Sequence, residues 1–485
     1  MVKKPAKVAS LVLLCACGGC KPPAAPAPKN PFQGVTIRVA GADRPELAAW
    51  VNSQRGEWTA QSGAQVELIA SDPAGSTPAT IDADIIIFES TRMGAVAGSG
   101  SVVRVPKGFL NSVSYEPRDL APIVHEHLIV WDRQTYALPV SADALVVYYR
   151  TDLIADEKHR AGFERQVGRP LTAPNTWGDF DAIAQYFTGQ DLNGDGAADH
   201  GVAVVGAADA LVARAAALGK SPLNLSFYFD VNTLAPLAAG PAFREAAEQW
   251  TKAAGCLSGA GDDDPQLATF AAGAAALAIG PASLAGRLLA AESDDLAASV
   301  AGRVACSPLP ASPRVYLHDK QAWRDLPADS PNRAAVVWGT LAAVPTSSSH
   351  ADAAFDFLGF LTDREHSLAS VAAPSYGLTP YRLSHVIDSA TWLGAGWSAA
   401  GAESYLTSMR ETLSQANAVS VLRIGHADEY QDVLDEQARA VVKKAATPKA
   451  ALDTVAKSWQ SISERHGLDA QRRHYRYSVG MPVVY

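Results

Sequence analysis

A nine-residue stretch near the middle of the chain carries the most explicit chemistry. Asp191-Leu-Asn193-Gly-Asp195-Gly196-Ala-Ala-Asp199 sets side-chain oxygens at positions 1, 3, 5 and 9 of a loop, with glycine at position 6. Hard oxygen donors around a sharp glycine turn suit Ca²⁺. Position 12 is Val202, where an EF-hand has a bidentate glutamate. The spacing therefore predicts an incomplete loop in which Asp191, Asn193, Asp195 and Asp199 hold a structural Ca²⁺. The competing reading is an Asx-rich turn that hydrogen-bonds its own backbone.

Other reactive residues are scattered. Asp143 opens an apolar run, Asp-Ala-Leu-Val-Val-Tyr-Tyr; an acid among apolar neighbours needs a partner. His125-Glu126-His127 is a short donor pair without an assigned third ligand and reads as solvated. The chain has no Gly-x-Ser-x-Gly elbow, no P-loop and no His-Glu-x-x-His, so hydrolase, nucleotide-binding and zinc-protease readings lack their reactive groups.

The first thirty residues form an address. Lys3, Lys4 and Lys7 precede the apolar run Val8 to Leu14, followed by Cys15-Ala16-Cys17-Gly-Gly-Cys20 and a Pro/Ala stretch. Basic start, short apolar core and small residues at a cysteine describe an export signal too short to span a bilayer. It resembles the bacterial lipoprotein signal, in which a cysteine is lipidated and becomes the first residue. Leu14 and Ala16, three and one before Cys17, favour Cys17. Processing at Cys20 would instead leave Cys256 and Cys306 as an even pair. Residues 1–16 are the expected signal peptide, and 17–33 a semi-rigid Pro/Ala tether to the membrane. An exported periplasmic or cell-surface lipoprotein is expected.

The chain has 485 residues, 48% hydrophobic and 19% charged, with net charge −9. That length suits two or three cores, and the acidic balance argues against a nucleic-acid surface. Val35–Ala40 reads as a strand, Glu46–Thr59 as a helix, and residues 65–70 and 84–88 as further strands, the last apolar throughout as a strand covered on both faces is. This is an open α/β sheet. Ligands bind at the carboxyl ends of such strands, which makes Asp43, Glu89 and Ser90 candidates.

Longer landmarks follow. Tyr136-Ala-Leu-Pro-Val-Ser-Ala-Asp143 continues to Tyr149-Arg150-Thr-Asp-Leu, then Pro174-Asn-Thr-Trp177-Gly-Asp-Phe180. Phe270-Ala-Ala-Gly leads to Ile279-Gly-Pro281, and Trp338-Gly-Thr-Leu-Ala-Ala-Val-Pro345 precedes a predicted helix, Ala351 to Leu361, and Thr362-Asp-Arg-Glu. Ser375-Tyr-Gly-Leu-Thr-Pro-Tyr381 and Thr447-Pro-Lys-Ala-Ala-Leu-Asp complete the series. In this order, over about residues 35 to 467, they resemble the family 1 extracellular solute-binding proteins, receptors of carbohydrate-importing ABC transporters. The departures are Ala282, where the family often has a sugar-stacking tryptophan after Gly-Pro, and Ala274 for a lysine. The polar segment 311–333 and the tail after Gly467 have no counterpart.

The resemblance implies a two-lobed α/β fold of the type II periplasmic-binding-protein kind, its lobes joined by crossing strands and closing on a ligand. Lobe one is expected over 34–140 plus 334–373, and lobe two over 141–333 plus 374–485. The implied ligand is a sugar or oligosaccharide, and the implied partner an ABC permease; a monomer is expected. Implied binding residues are Asp143, Tyr228, Trp338, Gly339, Tyr376 and Tyr430. Cys256 and Cys306 would both fall in lobe two, as a disulfide or as two buried thiols. Other readings are the same fold serving a non-sugar solute or a sensor, a carbohydrate-active enzyme, or a structural surface lipoprotein.

Overall fold

The computed structural model describes residues 30–70, 81–112, 115–222, 224–258, 264, 267–290 and 298–481. The signal segment, Cys17, Cys20 and most of the 17–33 tether lie outside the described residues. In chain order the strands are β1 (Thr36–Ala40), β2 (Gln65–Ile69), β3 (Ile85–Glu89), β4 (Val130–Trp131), β5 (Gln134–Thr135), β6 (Leu138–Pro139), β7 (Asp143–Arg150), β8 (His200–Val204), β9 (Ala275–Pro281), β10 (Val304–Pro308), β11 (Arg314–Leu317), β12 (Ala322–Asp325), β13 (Ala335–Trp338), β14 (Thr340–Ala343) and β15 (Ala418–Ser420).

The first sheet has the order β2-β1-β3-β14-β6, with β1 parallel to β2 and β3, and β14 antiparallel to β3 and β6. Its crossover helix, Pro45–Ser62, starts with a proline at its first position, where the missing N–H has no intrahelical partner to lose. It stops at Gly63, whose left-handed φ of 77° lets its N–H close on Thr59 O. Trp50 and Trp58 of that helix are buried, and their indole N–H groups reach Ser370 Oγ (3.0 Å) and Asp356 Oδ1 (2.7 Å). These bonds fasten the helices Ala351–Thr362 and Arg364–Ala372 to the first sheet.

The second sheet has the order β15-β13-β7-β9-β8, with β10 also paired to β7. Both faces of β7 are covered. Ala144, Val146 and Tyr148 join a core shared with the first sheet, whereas Leu145 and Val147 face a second core under the helices Ala207–Gly219 and Pro241–Ala253. Double-sided burial is why this strand is an unbroken apolar run.

The chain passes from the first sheet to the second between β6 and β7. It returns between β13 and β14, at Gly339. The expected return at 334 is therefore five residues early, because β13 still pairs with β7 (Trp338 opposite Asp143) and β14 already pairs with β3 (Thr340 opposite Glu89). Segment 311–333 forms the β11–β12 hairpin, with Tyr316 packed edge-on against Trp323. The tail after Gly467 is a helix, Leu468–Ser478.

Cys256 and Cys306 are not bonded; both are buried free thiols. Cys306 lies on β10 in the shared core, and Cys256 lies in the other core next to Leu257, which bridges to Val202 on β8. Strands β7, β9 and β8 stand between them. At about 4.8 Å per strand that separation exceeds about 14 Å, beyond the roughly 7 Å a disulfide spans.

Candidate ligand-binding cleft

The crossing point builds the floor of the cleft. Ser90 N donates to Gly339 O (2.7 Å), and Gly339 N donates to Ser90 Oγ (3.0 Å). A Cβ on Gly339 would stand 2.3 Å from Ser141 O, so only glycine lets the two crossing strands meet. Ser90 and Gly339 are both buried. Both are expected ligand contacts, and here their polar groups bind each other at the hinge. The third segment enters through Ser141, whose Oγ lies 2.7 Å from Thr379 Oγ1 and accepts a hydrogen bond from Thr379 N at 3.0 Å.

Around this knot stand further polar groups, some half-buried and some buried. Glu89, at the end of β3, accepts from Thr340 Oγ1 (3.0 Å) and from Arg44 Nη2 (3.3 Å). Burial raises its carboxyl above the ordinary value, against the Arg44 charge and the Thr340 hydrogen bond. Asp143 stands two ribbon positions away, opposite Trp338. Its Oδ1 accepts from Ala144 N (2.8 Å) and Ser283 N (3.2 Å). Burial pushes this carboxyl up to about 6, outweighing those hydrogen bonds, and the nearby Glu89 adds to the rise. Trp338 is half-buried beside it. Tyr376, also half-buried, lies on the turn Pro374–Tyr376, which packs between the helices Pro45–Ser62 and Ala285–Leu289. Asp43 is exposed on the loop after β1. The fold thus brings Glu89, Asp143 and Trp338 together. A half-buried carboxylate and a buried one next to an indole can accept hydroxyl hydrogen bonds and cover an apolar ring face.

From Glu89 a cleft of about 640 Å³ runs between the two halves. One wall carries Thr91, Arg92, Gly94 and Ala95; the other carries His426, Gln431, His466 and His474. Of the expected binding residues Glu89 lines it; Asp143 and Trp338 stand at the crossing behind Glu89, and Tyr228 and Tyr430 lie in the second core. Tyr430 has no exposed surface: its hydroxyl meets Ser463 Oγ at 3.0 Å, and its ring packs on Phe229 and Trp459. Tyr228 is buried in the same aromatic cluster and lines a separate cavity of about 350 Å³ with Asp209 and Gln431. On the helix Ala427–Val442 it is Gln431, one residue past Tyr430, that faces the cleft.

A family model described as bacterial extracellular solute-binding protein matches residues 57–393. The chain belongs to this family. Solved structures agree on the fold. An ABC-transporter solute-binding protein from Agrobacterium radiobacter K84, in complex with ribitol, is 18% identical, with a TM-score of 0.66 over 89% of this chain and 100% of that one. One from Agrobacterium vitis S4 with bound D-mannitol gives 17% and 0.63 over 89% and 99%. Maltose-bound MalE3 from T. maritima gives 18% and 0.62 over 88% and 100%. No curated protein matches the sequence. This solute-binding protein is accordingly a two-lobed α/β binding protein, not an enzyme, and its family is extracellular. No helix among its described residues is long and apolar enough to cross a membrane.

Sequence reasoning missed several residues of the solute-binding protein's cleft. Arg44 follows Asp43 directly, Thr340 comes two residues after Trp338, and Ser283 comes one residue after Ala282, the position where the family often has a tryptophan; adjacency to a candidate was the available signal. His426, His466 and His474 carried none, since their proximity depends on how three helices pack.

The Asp191–Asp199 loop lies away from this cleft, and its oxygens turn to its own backbone. Asp191 accepts from Gly194 N (2.7 Å) and Gly196 N (2.9 Å), Asn193 from Asp195 N (3.1 Å), Asp195 from Ala197 N (2.7 Å), and Asp199 from Leu192 N (2.7 Å). Hydrogen bonds from Gly194 and Gly196 hold the Asp191 carboxyl below its ordinary value. Among the described residues Asp191, Asp195 and Asp199 are not a trio whose carboxylate oxygens all lie within 4.8 Å of one another. These hydrogen bonds are those of the Asx-rich turn, the competing reading of the loop. His125 and His127 line another cleft, beside Lys220. Burial, with the charges of Arg423 and Lys220, lowers His127 to about 4.

Proposed function

We propose that the protein captures a sugar or polyol in the interlobe cleft and delivers it to the permease of an ABC importer. The observation that carries the reading is the juxtaposition of Glu89 and Asp143 with Trp338 at the crossing. Hydroxyl groups donate well to desolvated carboxylates, and an indole face covers the apolar side of a sugar ring. Relatives of the same fold are described with ribitol, D-mannitol and maltose. A ligand touching both walls favours the closed arrangement by its differential affinity for it, and the closed form is what a permease can recognise. The export signal and the Pro/Ala segment fit a lipid tether at Cys17 or Cys20, which keeps the receptor near its permease and raises its effective concentration there.

A thermal-shift and calorimetric screen with ribitol, mannitol, maltose and longer oligosaccharides tests this. One sugar or polyol is expected to raise the melting temperature in proportion to the logarithm of its concentration, and Asp143→Asn to abolish the shift. No response to any of them, or release of a product, overturns the reading.

A further inference from the structure

A second cluster stands on the cleft wall, apart from the crossing floor. His426 precedes the helix Ala427–Val442, Glu429 lies in its first turn, and His466 follows the helix Pro448–Arg465. Glu429 Oε1 is 3.3 Å from His426 Nδ1 and 2.7 Å from His466 Nε2. The two imidazoles stack with centroids 3.5 Å apart and planes 11° from parallel. All three ligand atoms fall within 4.8 Å of one another, and among the described residues no other trio of His, Cys, Asp or Glu converges in this way. His426 has a left-handed φ of 61°, uncommon for a residue with a side chain. The cluster is open: His426 is exposed, and His426 and His466 both line the 640 Å³ cleft. His474 lines it too, and its Nδ1 is buried without a hydrogen-bond partner.

Two imidazole nitrogens and one carboxylate oxygen are the donor set of transition-metal sites that keep an open position. With bonds of about 2.0–2.1 Å, tetrahedral ligand atoms stand about 3.3 Å apart. The first separation here already has that value and the second needs an opening of roughly 0.6 Å; the two stacked rings must also swing out of parallel, so that both in-plane lone pairs meet at one ion. Arg465, which pairs with Glu429 Oε2, leaves Oε1 for an ion.

We propose that His426, Glu429 and His466 bind one divalent transition-metal ion of the Zn²⁺ class at the wall of the cleft. The ion clips the helix Ala427–Val442 to the helix Pro448–Arg465 and sets a Lewis-acidic centre facing the cleft. The proposal stands apart from the solute reading, because its test uses no solute.

The purified protein is titrated calorimetrically with Zn²⁺ alone, and with Co²⁺ while its absorption spectrum is followed. A site of one ion per chain is expected, with a Co²⁺ d–d band free of thiolate charge transfer, which separates it from Cys15, Cys17 and Cys20. Glu429→Gln and His466→Gln should each weaken binding at least tenfold. His318→Gln, which disturbs a histidine paired with Asp230 elsewhere, should leave it unchanged. Metal-free circular dichroism and melting of each variant separate lost ligation from lost folding, and Glu429→Gln keeps a hydrogen-bonding amide in place. Absence of a site of this stoichiometry, or affinity unchanged in a folded His426→Gln/His466→Gln double variant, overturns the proposal.

Discussion

Ser141 Oγ sits 2.7 Å from Thr379 Oγ1 and accepts from Thr379 N, so one buried hydroxyl ties the first crossing to the third. The backbone N–H of the same residue donates to Thr340 O on the second (3.1 Å). Ser141→Ala removes the side-chain half of this knot and leaves Thr379 N without its acceptor. An unsatisfied buried donor costs about 1–3 kcal/mol. Urea denaturation should show a loss of that size. Small-angle scattering should show a wider spread of lobe arrangements. A variant as stable as the parent would mean that the hydroxyl is dispensable to the hinge.

Gly339→Ala tests the same point sterically. Its Cβ would meet Ser141 O at 2.3 Å and Leu128 Cδ1 at 3.2 Å, and the first of these is backbone that cannot turn aside. The expected loss exceeds about 2 kcal/mol, at the severe end for a methyl group. Chemical denaturation measures it, and a neutral substitution would show that the crossing has slack.

Asp143 gives a pH-dependent prediction. Its folded value of about 6 is raised above the 3.8 of an ordinary aspartate, mainly by burial. The folded state therefore keeps a proton that the unfolded chain releases. This group's contribution to stability is complete below pH 3.8 and is lost as pH rises through 6. Asp143→Asn cannot ionise and keeps an oxygen for Ala144 N and Ser283 N. It should be more stable than the parent at pH 8 by up to about 3 kcal/mol and equal to it at pH 3.5, while failing to bind solute. Denaturation curves at the two pH values decide this, and a constant difference between them would refute the assignment.

The Asp191–Asp199 turn should ignore Ca²⁺. Millimolar Ca²⁺ is expected to leave the melting temperature unchanged, whereas Asp191→Ala should lower it equally with and without the ion, through the lost hydrogen bonds to Gly194 and Gly196. A rise in melting temperature with Ca²⁺ that disappears in Asp191→Ala would restore the metal.

Cys256 and Cys306 should be alkylated only after unfolding, without a reductant, as shown by peptide mapping. Cys306 is doubly protected, since burial pushes its thiol up to about 12. Recovery of a 256–306 linked peptide would contradict the structure.

The amino-acid sequence by itself determined the parts that local physics controls. Apolar runs without alternation marked β3 and β7, because a strand covered on both faces needs no polar side. The segment Glu46–Thr59 read as a helix, and the structure has one there, Pro45–Ser62. The order of short motifs marked a two-lobed binding fold, and Asp143 stood out as an acid in an apolar strand. Tertiary structure decided the rest. Ser90 and Gly339 are 249 residues apart, and nothing near either one says that Ser90 N meets Gly339 O while Gly339 N meets the Ser90 hydroxyl. Tyr430 and Gln431 are neighbours on one helix, and only the packing of Phe229 and Trp459 turns the tyrosine inward and leaves the glutamine to the cleft. His426 and His466 meet because two helices align their ends. Periodicity records which face of an element is buried. Which distant element covers that face, and so which polar groups stay free for a ligand, depends on contacts that form only when the chain is folded.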